Sequence, residues 1–205
     1  MAGRPRGIDD AVILQRAVDL IGRIGPAKLT LAAVAAEAGI VPATLIQRFG
    51  SKHGLLVAVA KRSAEDADAA AGRPRESHSA PLPALEALLV ESMAPMTTPE
   101  TFANHLAFLC MDLTDPQLHE YALVIHEAQR AAIRSLLNEA VAQADLRAET
   151  DTAALAGSLQ AIVAGAGLSW ALDRQGTLPQ RLRRELRALL APHIQRNDNR
   201  NSEAS

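Results

Sequence analysis

Ala43, Thr44, Ile46, Gln47 and Arg48 stand together in the stretch PATLIQRF. Within a few positions they offer a small apolar surface, a hydroxyl, a branched alkyl group, an amide and a guanidinium. That set suits the major groove of duplex DNA. There Arg pairs with guanine, Gln with adenine, and a methyl-bearing side chain packs on thymine, because each base edge shows its own order of donors, acceptors and methyl. Lys52 follows as a compact charge suited to phosphate. These groups act together only if they project from one face of a short helix, so the surrounding sequence must supply that helix and its support.

The flanking residues do so. Thr30 is placed to N-cap a helix with its hydroxyl on a free backbone N–H, after which Val34, Ala35 and Ala38 share one face. Gly39 ends that helix, because the residue just past a helix end usually needs φ > 0, and Ile40 turns back to pack under the pair. Pro42 opens a second helix, where its missing N–H costs nothing, and Leu45 and Phe49 at i, i+4 give it a buried edge. Thr30 to Lys52 thus reads as a helix-turn-helix whose DNA-facing set is Thr30, Pro42, Ala43, Thr44, Ile46, Gln47, Arg48 and Lys52. A preceding helix from about Ile8 to Ile24, with Leu14, Ala17, Val18 and Ile21 at i, i+3, i+4, i+7 and Gly25-Pro26 as its stop, is the scaffold. Ser51 is placed to cap a following helix that runs towards Ala71, and Lys52 in its first turn opposes the helix dipole unless a phosphate lies nearby. At the N-terminus, Arg4 and Arg6 of a Gly3–Gly7 arm fit a narrow minor groove, with a disordered terminus as the competing reading.

Charge supports the same end of the chain. The net charge is −2, yet residues 1–62 carry nine Lys or Arg against four acids and all three lysines, so the remainder is strongly acidic. A basic face coincident with the helix-turn-helix is the electrostatic footprint that phosphate requires.

The segment LTLAAVAAEAGIVPATLIQRFGSKHGLL resembles the DNA-binding domain of the TetR family of bacterial one-component regulators. Thr30, Ala35, Gly39, Thr44, Leu45, Phe49, Ser51, Lys52 and Leu55 sit where the family pattern expects them. The resemblance covers the first quarter to third of the chain. The family usually carries a tyrosine after the Thr-Leu pair, and often another aromatic or histidine two residues on; here those places hold Ile46 and Arg48, and Arg48 becomes the candidate for the phosphate contact. The resemblance implies a homodimeric regulator that reads a DNA operator and binds an inducer in its larger domain.

The rest of the chain is helical by composition, with aromatics at only 2% and no alternating β-branched run. The expectation is an all-α protein of about nine helices: an N-terminal helix-turn-helix domain over 1–51, a regulatory and dimerisation domain over 52–196, and a disordered tail over 197–205. Gly72 to Pro83 reads as a linker. Further helices are expected at Leu82–Met93, Glu100–Leu113, Asp115 to about Leu146, Thr152–Leu172 and Leu178–Ile194. Thr152 to Leu172 carries no charge and is long enough to span a membrane. Its alanines and glycines, its internal Ser158, Gln160 and Ser169, and the acids at its ends argue instead for a closely packed helix. Leu159, Ile162, Val163 and Ala166, with Leu182, Leu186 and Leu189 of the last helix, are the candidate dimer interface, two helices from each subunit making a four-helix bundle.

Catalytic and metal signatures are absent from the sequence: no phosphate loop, no Cys pair, no GxSxG, no HExxH and no Glu-x-x-His. His119 and His126, seven apart, are the sole pointer to a metal, and surface or pocket histidines are commoner at that spacing. No enzyme, cofactor or metal is therefore expected. Met93, Phe102, His105, Phe108, Met111, Tyr121, His126 and Trp170 form the candidate pocket for a hydrophobic small-molecule effector, against an ordinary core. A single cysteine and a polar N-terminus without a signal's apolar core fit a cytoplasmic protein. The expected partners are operator DNA, a second copy of the chain and that effector. A helical module that binds a small molecule without reading DNA is the alternative, motivated by Ile46.

Overall fold

The structure, a computed structural model, describes residues 8–195. Arg4, Arg6 and the tail expected over 197–205 lie outside the described residues. Among the described residues the fold is all-α, with ten helices, one 3-10 turn and no strand beyond a single isolated bridge. The helices are α1 (Asp10–Ile24), α2 (Leu31–Ala38), α3 (Pro42–Phe49), α4 (Lys52–Glu65), α5 (Ala67–Ser77), α6 (Pro81–Glu91), α7 (Pro99–Thr114), α8 (Pro116–Ala142), α9 (Thr152–Asp173) and α10 (Leu178–Leu190).

The chain forms two compact units. The first takes the described residues of Met1–Ala70 together with Pro95–Ala128 and Ala171–Arg174. The second takes Ala71–Ala94, Gln129–Trp170 and the described residues of Gln175–Ser205. In the first unit, α1 sits at the centre. Asp9 caps it by accepting the Ala11 N–H at 2.9 Å, and Ile13, Leu14, Ala17, Leu20 and Ile21 form its buried stripe. That stripe packs against Val34 and Ala35 of α2, Leu45 of α3, Leu55, Leu56 and Val59 of α4, and Leu118 of α8, in one apolar core. α7 closes on the C-terminal turn of α1: Asn104 Nδ2 donates to the Gly22 carbonyl at 2.8 Å, and His105 packs over Gly22 where a side chain would crowd it.

In the second unit, α6 and α10 pack together through Leu85, Leu89, Leu182 and Leu186. The end of the chain is pinned by an antiparallel bridge from Leu146 to Ile194, with the Arg147 N–H on the His193 carbonyl and the Gln195 N–H on the Asp145 carbonyl, each at 2.9 Å. This bridge corrects the expected end of the long helix. α8 stops at Ala142, Ala144 takes a φ of 56°, and Leu146 leaves the helical path to pair with Ile194.

The expected linker from Gly72 to Pro83 is also corrected, because most of it is helical. α4 ends at Glu65 and α5 carries the chain through Pro74 to Ser77. A proline removes one helix donor and so leaves the carbonyl four residues before it open, and a helix end leaves its last carbonyls open. Here Arg75 reorganises that end. Its guanidinium donates to the His78 and Ser79 carbonyls at 2.6 and 2.8 Å and to Glu139 at 2.8 Å, while the His78 ring pairs with the Pro74 carbonyl at 2.9 Å. α9 is long and apolar enough to cross a membrane. The structure buries one of its faces, with Leu155, Ala156, Leu159, Val163, Ala166 and Trp170 inward.

Candidate nucleic-acid interface

The turn between α2 and α3 is built from local chemistry. Thr30 caps α2, its hydroxyl accepting the Ala33 N–H at 3.1 Å. At the other end Gly39 takes φ 66°, ψ 32°, and the Ile40 N–H reaches back to the Ala35 carbonyl at 3.0 Å. That is the left-handed helix stop glycine provides without Cβ strain. The chain enters α3 at Pro42 after three residues, and the two helices are bent 113° to each other. Helix-turn-helix pairs cross at about 90–120°.

Which side chains α3 presents follows from its rotation of about 100° per residue. Leu45 is fully buried and Phe49 half-buried, fixing the inner edge. Away from them Ala43, Ile46 and Gln47 form one exposed arc, with Ile46 54% exposed and Thr44 on the flank; Pro42, also exposed, stands at the helix start on the Phe49 side. Among the described residues Gln47 has no hydrogen-bond partner, so its amide is available.

Arg48 behaves differently. It lies past Gln47 towards the inner edge, and its guanidinium donates to the Ile8 carbonyl and to Asp10 Oδ1, both at 2.7 Å. It ties α3 to the start of α1 instead of facing outward with Gln47. The expected DNA-facing set therefore divides into the outward Ala43, Ile46 and Gln47 and the inward-tied Arg48. Sequence reasoning had no signal for the pairing, since Asp10 is a distant acid that reads only as a helix-opening residue.

Lys52 opens α4 behind the Ser51 cap, whose hydroxyl accepts the Gly54 N–H at 3.0 Å. Its Nζ donates to the Ala27 carbonyl at 3.3 Å. That contact brings it beside the turn that carries Lys28, which is exposed and immediately precedes the N-terminal region of α2. Lys28 is a further candidate cation outside the expected set, two residues before Thr30.

The candidate pocket residues do not gather in one unit. Phe102, His105, Phe108, Met111, Tyr121 and His126 belong to the first unit, Met93 and Trp170 to the second. Phe108, Met111 and Tyr121 are half-buried against the core beneath the helix-turn-helix, and Phe102 is buried. Burial also lowers the pKa of His105 below the ordinary histidine value. Trp170 is buried, its indole N–H donating to the Gly176 carbonyl at 3.2 Å. Among the described residues no cluster of three His, Cys, Asp or Glu is placed to hold a metal.

Of the candidate dimer residues, Leu159, Val163, Ala166, Leu182 and Leu186 are buried within the protomer's own second unit, and Ile162 and Leu189 are half-buried. Helical periodicity marks an apolar stripe but not which of two apolar faces turns inward. The outward face of α9 carries Ala154, Ala161, Gly165 and Leu168.

Two family models cover most of the chain. Residues 13–59 match bacterial regulatory proteins of the tetR family, and residues 81–196 match the C-terminal region of BetI-type transcriptional repressors. The chain belongs to the TetR family. This TetR-family chain is accordingly a DNA-binding transcription regulator and not an enzyme. No curated protein matches its sequence. Solved structures share its fold at low identity. A protein from Saccharomonospora viridis, solved in complex with choline, is 20% identical with a TM-score of 0.73, over 90% of this chain and 96% of that one. SmeT, the repressor of the Stenotrophomonas maltophilia multidrug efflux pump SmeDEF, is 19% identical with a TM-score of 0.67, over 93% of each chain. PfmR from Thermus thermophilus is 19% identical with a TM-score of 0.65, over 87% of this chain and 97% of its own.

Proposed function

We propose that this TetR-family regulator is a cytoplasmic repressor that binds a palindromic operator as a homodimer and leaves it when a small hydrophobic effector binds. The observation that carries the reading is the exposed arc of Ala43, Ile46 and Gln47 on a helix bent 113° from its support, beside the cations Lys28 and Lys52. Ile46 takes the place of the usual tyrosine and offers methyl groups to thymine, while Gln47 pairs with adenine. Lys28, Lys52 and the N-terminal end of α2 form the phosphate-binding side, where both charge and helix dipole attract an anion.

Two such reading heads fit successive major grooves if the dimer holds them about 34–36 Å apart. The outward small-residue face of α9 is the self-complementary surface for that dimer, in place of the inward leucines. In this proposal the effector is held among residues of the candidate set, and it acts by binding better to the form whose heads are spaced wrongly, drawing the population off the operator. The functional boundary near residue 51 is kept as a division of tasks.

The test is a mobility shift with DNA from upstream of the chain's own gene at several salt concentrations. Sequence-preferring, salt-sensitive binding supports the reading, and its absence refutes it. Within that assay, Lys52→Ala weakens all sequences alike, whereas Gln47→Ala relaxes preference at one base step. Uniform loss in both variants would show that the roles are misassigned.

A further inference from the structure

In the second unit, α6 and α10 flank an open cleft of about 710 Å³, with Ala191 and Ile194 also in its lining. Each helix gives it an i, i+3, i+4, i+7 stripe: Leu82, Leu85, Glu86 and Leu89 from α6, and Arg183, Leu186, Arg187 and Leu190 from α10. Leu82 and Leu190 are partly exposed in it over a buried floor of Leu85, Leu89 and Leu186, and the charges sit mid-stripe. Glu86 Oε1 lies 3.1 Å from Arg183 Nε, and Glu86 Oε2 lies 3.5 Å from Arg187 Nε. Two guanidiniums thus share one carboxylate, and Arg187, whose side chain is 73% exposed, is loosely held. Each guanidinium has five N–H donors in a fork that matches a carboxylate. Glu91 and His78 also line the cleft, but Glu91 is more than a helical turn along α6 from Glu86. No Phe, Tyr or Trp ring lines it, which removes the usual means of holding a quaternary cation. The volume falls in the range of about 300–1,000 Å³ typical of small-ligand sites.

We infer that this cleft binds an amphipathic monocarboxylate, its alkyl chain along the leucines and its carboxylate bridging Arg183 and Arg187. None of the effector-pocket candidates named from the sequence lines it. An exposed ion pair contributes little to stability, so exchanging Glu86 for a ligand carboxylate on the same guanidiniums costs the fold little.

The experiment is calorimetric titration of the full chain with dodecanoate, dodecanol and dodecyltrimethylammonium below their micellar concentrations, without DNA. Dodecanoate is expected to bind once per chain and at least ten-fold more tightly than the other two. Arg187→Gln should weaken it about ten-fold, Glu86→Gln should tighten it by freeing both guanidiniums, and Ala87→Phe, which fills the cleft, should abolish it. Unfolding temperatures measured alongside establish that each variant is folded. Absence of dodecanoate binding, equal or tighter binding of the cation or the alcohol, or binding unchanged by Arg187→Gln and Ala87→Phe overturns the inference. Because no DNA is present, any of these leaves the operator reading untouched.

Discussion

Arg48→Ala separates a structural arginine from a DNA-contacting one. Arg48 spends its guanidinium on the Ile8 carbonyl and Asp10, both at 2.7 Å, with 28% of its side chain exposed and 58% of Asp10. An ion pair this open contributes about 0.2–1 kcal/mol. The bond to a backbone carbonyl adds about 1 kcal/mol. The variant should therefore lose about 1–2 kcal/mol, which at about 2–4 °C per kcal/mol for a chain of this size lowers Tm by about 2–8 °C. Asp10→Ala should lose part of the same amount, and the double variant less than the sum, because both remove one pairing. On DNA the contrast is sharper. A lost phosphate contact reduces the slope of log K against log salt by about 0.9, or about 1.8 for two protomers. The tie to α1 predicts an unchanged slope. Thermal unfolding by circular dichroism and a salt series of anisotropy titrations measure the two quantities. A slope reduced by about 1.8 with an unchanged Tm would refute the structural assignment and restore Arg48 to the phosphate backbone.

Three further outcomes follow from the packing. Gly25 has φ 79°, ψ 158°, a region essentially reserved for glycine, and a Cβ there would lie 2.8 Å from Asn104 Oδ1; Gly25→Ala should cost about 1–3 kcal/mol in urea unfolding. A loss well under that range would mean the α1 to α7 junction is looser than these contacts imply. Burial first, and then the charge of Asp115, push the Asp112 carboxyl up to about 6 from 3.8. A raised acid is stabilising while protonated, so its contribution is present below about pH 4 and lost as pH climbs through 6. Asp112→Asn should thus gain on the parent between pH 5 and 8 and match it near pH 4, the difference cancelling the opposite trend of buried His105; a gap constant with pH would count against this. Gly165 lies in helix with open space where its side chain would be, so Gly165→Arg should leave the protomer folded yet yield monomer in light scattering. A persistent dimer would move the interface off the outward face of α9.

Local signals in this sequence are read reliably because each is complete within a few residues. The Thr30 cap, the Gly39 stop, Pro42 at the start of α3 and the Ser51 cap all depend on backbone groups a turn away, and all four appear in the structure. Contacts that close long loops leave no such mark. The Arg48 to Asp10 tie, the Asn104 bond to Gly22 and the pairing of Leu146 with Ile194 join residues dozens of positions apart. Pro74 misled for a related reason. Proline is a helix breaker on local grounds, and only Arg75, reaching Glu139, shows how the end of α5 is satisfied. In α9 both faces are apolar, so composition fixes the helix but not its rotation, and Leu159, Val163 and Ala166 of the stripe assigned to a partner are buried in the protomer.

The charge count also needs the structure to become an argument about DNA. Of the nine cations in residues 1–62, Arg23 pairs with Glu37 at 2.6 Å, Arg48 with Asp10 at 2.7 Å, Lys61 with Glu65 at 3.8 Å and Arg62 with Asp66 at 2.6 Å. Those charges are largely neutralised within the first unit and contribute little to attracting a phosphate backbone. What remains without an ion pair among the described residues is Arg16, Lys28 and Lys52; Lys52 follows α3 by three residues, and its Nζ on the Ala27 carbonyl puts it beside Lys28. Arginine's planar fork suits fixed pairings of the first kind, whereas lysine's compact, flexible charge suits a phosphate that must be held without a set geometry. On the proposed reading a pair of lysines supplies the phosphate contacts of the described residues, and a salt slope much steeper than two lysines per protomer provide would point to cations outside the described residues.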